Sequence, residues 1–144
     1  MTTAMWAAVP FLAVVAVDDF RRRRIRNRNV IVLAVVTGFV VATLVIDRGG
    51  DVALQAVLGG CLAAAPLVVA ALVQPARMGG GDVKLAVVVG GLLGPISPWL
   101  SLAAIAGALV LTLALMALRS LPHAPVAPAL AASAVTMLFL SAVL

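Results

Sequence analysis

All five acidic residues of this 144-residue chain are aspartates, and three of them stand where they could do chemistry. Asp18 and Asp19 lie side by side ahead of a run of arginines, and Asp82 follows three glycines in ARMGGGDVKLAVV, residues 76–88. Two aspartates from different helices, brought within hydrogen-bonding range of one water, can hydrolyse a peptide bond. Like charges at that range do not both ionise easily, so one proton is shared. The ionised carboxylate then takes a proton from the attacking water, while the protonated one donates a hydrogen bond to the scissile carbonyl.

Other chemistries lack residues. The chain has one histidine, His123, and no glutamate, and no nucleophile-elbow motif offers a serine for acid–histidine–serine catalysis. A zinc site needs at least three good ligands, and no cluster of His, Cys and acids occurs at ligand spacing. Cys61 is the single cysteine, so it forms no internal disulfide and reads as a small packing residue. MGGGDVK lacks the spacing of a phosphate-binding loop, and its acid would repel a phosphate. The sequence therefore calls for no metal and no cofactor.

Each aspartate also has a plainer reading. Asp82 could cap the helix that follows it, since aspartate is a preferred N-cap. Asp18 and Asp19 could be neutralised by arginines that anchor a helix end at lipid headgroups. Capping leaves Gly79, Gly80 and Gly81 unexplained, because glycines are used where φ must be positive or another backbone must come close. An extended peptide lying beside a catalytic acid makes such an approach.

The elements that must position these residues are membrane spans. The chain is 65% hydrophobic and 10% charged, with a mean hydropathy of +1.25, far too apolar to cover a water-soluble domain. Six apolar runs are expected to be spans, at about residues 3–17, 30–46, 52–73, 83–96, 99–118 and 127–144. The predicted fold is all-α, a polytopic bundle of about six transmembrane helices forming one membrane domain over 1–144, with no soluble domain. Nine of the ten cations fall on one side: Arg21, Arg22, Arg23, Arg24, Arg26, Arg28, Arg77, Lys84 and Arg119, with only Arg48 opposite. The positive-inside rule makes that side cytoplasmic and puts all three candidate aspartates near it. Wedged between spans, the arginine run reads as a topology signal and an anchor on anionic lipid, so no nucleic-acid partner is expected.

These residues resemble a known family. GGGD at 79–82, followed by VKL, looks like the GxGD motif of type IV prepilin peptidases. DFRRRRIRN at 19–27 resembles the family's other aspartate segment, in which Asp is followed by basic residues and then Ile-Pro-Asn; Asp19, Ile25 and Asn27 match, and Arg26 replaces the proline. LPHAPVAPALAASAV at 121–135 is similar to the proline- and small-residue-rich opening of the family's last helix. The resemblance implies that Asp19 and Asp82 are catalytic, with Asp18 an extra neighbour, and that Gly79, Gly80, Gly81 and Lys84 border the substrate. It implies as partner the basic leader and apolar helix of a prepilin or pseudopilin in the same inner membrane, cut on the cytoplasmic side. Larger members carry a methyltransferase region with a four-cysteine zinc site; this chain resembles the small, peptidase-only members associated with Flp/Tad-type pili, so no N-methylation is expected.

Two other readings use the same residues. A small transporter or channel subunit could bind a cation or relay protons through Asp19 and Asp82, although transport sites usually lie near the midplane. A non-catalytic assembly protein could pair helices through Gly90 and Gly94, although GGLLG fits packing within the chain's own bundle better.

Overall fold

The computed structural model describes residues 3–22, 27–73, 80–119 and 126–143. A single turn, α1 (Thr3–Trp6), leads into α2 (Val9–Arg22), α3 (Asn27–Arg48), α4 (Asp51–Val73), α5 (Gly80–Leu93), α6 (Pro98–Arg119) and α7 (Val126–Val143). α3, α4 and α6 are long and apolar enough to cross a membrane, and α7 is apolar but shorter. Large side chains such as Phe39, Leu54, Val69, Leu72, Trp99 and Leu113 stand on the outside of the bundle, as lipid contact requires. The fold is an all-α polytopic membrane bundle.

Two of the expected spans are cut differently. The first breaks at Ala7–Ala8 and then runs on to Arg22. Pro10 has no N–H to offer the Trp6 carbonyl, and its ring would clash there if the helix were continuous. The fourth begins at Gly80, ahead of the expected Val83, and ends at Leu93, with Gly94–Ile96 in a turn before Pro98 opens α6. Proline suits that first helical position, where the missing N–H costs nothing. At the far end of α3, Gly49 adopts φ 98° and its N–H meets the Val45 carbonyl at 2.8 Å. A left-handed residue of this kind ends a helix most cheaply when it is glycine.

The short α5 is the hub of the bundle. It packs on α3, α4, α6 and α7, while contacts α2–α3, α3–α4, α4–α6, α6–α7 and α7–α2 close a ring around it. Glycines make the α4–α5 crossing possible. A Cβ on Gly59 would lie 2.6 Å from Gly94 Cα and 2.8 Å from Ser101 Oγ; one on Gly94 would lie 2.8 Å from Ala56 Cα. Ser101, fully buried on α6, donates its hydroxyl to the Gly90 carbonyl at 3.0 Å and locks the third helix to this crossing. Gly90 and Gly94 thus pack inside the chain's own bundle.

Candidate active site

Asp19 ends a buried stripe. Met5, Ala8, Leu12, Val15 and Asp19 recur at spacings of three and four and are all buried, with Asp19 only 5% exposed. That spacing keeps one helical face toward the core. Asp18, a residue earlier, is rotated off the stripe and half-buried. Its Oδ2 accepts a hydrogen bond from Asn29 Nδ2 at 2.8 Å. The two neighbours therefore have different environments, and the inward one is Asp19.

Asp82 begins a buried stripe. It is half-buried in the first turn of α5, and Leu85, Ala86, Val89, Leu92 and Leu93 continue the inward face behind it. Asp82 is the third residue of the helix, inside it rather than at the N-cap. The partial positive charge of a helix N-terminus favours a carboxylate in that turn.

The first turn of α3 joins the two segments. Asn27 and Asn29 stand two residues apart, about 200° around the helix, and so leave it on opposite sides. Asn29 reaches Asp18 at the end of α2, while Asn27 Oδ1 accepts from Lys84 Nζ at 3.3 Å at the start of α5. Hence the C-terminal end of α2 and the N-terminal end of α5 lie at the same end of the bundle, each tied to α3. α2 and α5 also share α7 as a packing partner.

Asp82 is recessed relative to α4. Gly94 packs on Gln55 and Ala56, and Gly90 packs on Gly59, an antiparallel register in which the paired numbers sum to about 149. Extended toward the site, that register sets Asp82 level with about Leu67, beside Pro66, where the helix loses one internal hydrogen bond. α4 then runs on to Val73, roughly 9 Å further at 1.5 Å per residue.

Among the expected substrate contacts, Gly80 is exposed and a Cβ added there would meet nothing within 4 Å. Gly81 is half-buried and Lys84 exposed. Gly80 and Gly81 stand in the first turn of α5, and open space is what distinguishes Gly80. Gly79 lies outside the described residues, as does His123.

Residues 6–117 match the Type IV leader peptidase family. The match takes in both aspartate segments and most of the bundle. The chain belongs to that family. It is a peptidase embedded in the membrane, and its role is that of a prepilin leader peptidase. No curated protein and no solved structure is similar enough to count as a match.

Sequence reading passed over Asn29, because an asparagine among arginines looks like one more solvated connector residue. The usable signal was N-x-N at the mouth of an apolar span, where two amides face different neighbours. Gly59 and Gly60 were also passed over; they lie within an unbroken apolar run, and their partners are some thirty residues away.

Proposed function

We propose that this leader peptidase is an intramembrane aspartic endopeptidase. It removes the short basic leader of a type IV or Flp-type prepilin or pseudopilin, at the cytoplasmic face of the inner membrane. Asp19 and Asp82 share one proton; the ionised carboxylate activates water, and the protonated one hydrogen-bonds the scissile carbonyl. Gly79, Gly80 and Gly81 leave room for the extended backbone of the substrate, and Lys84 lies beside its path. The substrate's own apolar helix stays in the bilayer, among lipids, and delivers the cleavage site to the aspartates.

The observation that carries this reading is the placement of the two carboxylates. Asp19 closes one buried stripe and Asp82 opens another, at helix ends that α3 draws together. A carboxylate kept on the core face has been denied the solvent that a mere anchor would use, which supports a catalytic role over a headgroup-anchoring one. Co-expression with a prepilin tests it: Asp19→Asn and Asp82→Asn should each leave the leader in place on a gel, while Asp18→Asn should leave most processing intact. Processing that survives Asp82→Asn sinks the proposal.

A further inference from the structure

We infer that Asn29 is a positioning residue for the peptidase reaction, acting on Asp19 through Asp18. The inference rests on the aspartic-peptidase reading above. Asp19 sits near the C-terminal end of α2, only three residues before the last described residue of that helix, Arg22. Helix ends fray unless something outside the helix holds them. The bond from Asn29 Nδ2 to Asp18 Oδ2, at 2.8 Å, is a side-chain tie between α2 and α3 at this end. It is part-buried, and at 2.8 Å it is a short hydrogen bond from an amide to a carboxyl oxygen.

The tie has a counterpart. Asn27, on the opposite side of the same turn, receives Lys84 from the helix that carries Asp82. The first turn of α3 is therefore a shared anchor for both aspartate-bearing helix ends, and the distance between the carboxylates is set partly through it. A two-aspartate mechanism needs both groups on one water, so loosening either arm should slow the chemical step rather than weaken substrate capture.

A side-chain exchange tests the inference. Asn29→Asp faces Asp18 with a second carboxylate and breaks the bond. Asp18→Asn alone can still accept from Asn29, through its amide oxygen. The double variant Asp18→Asn with Asn29→Asp restores a donor–acceptor pair with the roles reversed. The full chain, in lipid nanodiscs, is assayed on a reporter polypeptide with a Lys/Arg-rich leader, a glycine and an apolar helix of about 20 residues. Asn29→Asp should lower kcat by about tenfold to a hundredfold at unchanged KM, and the exchange should return kcat to near the wild-type value. An Asn29→Asp enzyme as fast as wild type, or an exchange no better than Asn29→Asp alone, overturns the inference.

A second measurement does not depend on turnover. Spin labels at Phe20→Cys and Val87→Cys, both exposed positions, in a Cys61→Ala background report the separation of the α2 end from α5. Asn29→Asp should broaden that distance distribution and the exchange should sharpen it again; a distribution indifferent to both overturns the positioning role. If Asp82→Asn cleaves like wild type, the two-aspartate reading fails, and the labels still decide whether Asn29 holds α2.

Discussion

Lys84 Nζ meets Asn27 Oδ1 at 3.3 Å across 57 positions of the chain, tying the helix that carries Asp82 to the turn that follows Asp19. The contact is exposed, so its weight in folding is small, of order 1 kcal/mol or less. Its value lies in placement. Lys84→Met is expected to leave the melting temperature in detergent nearly unchanged, to lower kcat through the loosened Asn27 arm, and to raise KM for the leader substrate, since the proposed peptide path runs beside the ammonium. A fall in kcat at constant KM would instead assign Lys84 wholly to holding Asn27.

Two glycines in one helix should respond in opposite ways. Gly80 has open space where a Cβ would go, and alanine is the better helix former by about 0.5–1 kcal/mol. Gly80→Ala should therefore keep or raise thermal stability while slowing cleavage, because the methyl group enters space that the substrate backbone needs. Gly90→Ala would set a Cβ 2.5 Å from Ala63 Cβ and against the Gly59 backbone. Overpacking of that kind costs about 1–3 kcal/mol, read as a lower melting temperature. Equal behaviour of the two variants in both assays would contradict the separate roles given to the two ends of α5.

Ser101→Ala removes the hydroxyl that bonds the Gly90 carbonyl. That carbonyl keeps its helical donor, Gly94 N–H, at 2.8 Å. The loss should be only about 0.5–1.5 kcal/mol in stability, with kcat and KM untouched, as thermal melts beside a cleavage assay would establish.

The proposed orientation places the GlyGly turn between α3 and α4 on the outer face. A cysteine at Gly50, which is exposed, in a Cys61→Ala background should react with a membrane-impermeant maleimide added to intact cells. A cysteine at Asn27 should react only after the membrane is opened. The reverse pattern would place the aspartates on the outer face and remove a cytoplasmic leader from their reach.

The spans were legible because lipid demands long apolar runs, and the turns were legible because Gly49, Gly50 and Pro98 have few other uses. Helix boundaries were less so. Pro10 broke the first run at a place where composition alone shows no change, and α5 took Gly80 and Gly81 into its first turn although glycine is a poor helix former. Packing against four neighbours outweighs that local preference. The choice of Asp19 over Asp18 followed from the resemblance, because the run before it is apolar on every face and its buried stripe shows only in the structure. What sequence could not supply were the pairings: Asn29 with Asp18, Asn27 with Lys84, Gly59 with Gly90. Each joins different helices, and neither hydropathy nor periodicity carries information about which helix lies beside which.

The most direct test of a two-aspartate mechanism is leader cleavage by purified, lipid-embedded enzyme carrying Asp19→Asn or Asp82→Asn, each checked for an unchanged melting temperature. The account predicts that either substitution alone lowers kcat by about 10²–10⁴-fold or more, that the double variant is little worse than either single one, and that Asp18→Asn remains active. Cleavage at the wild-type rate by either single variant, with the fold intact, would contradict it.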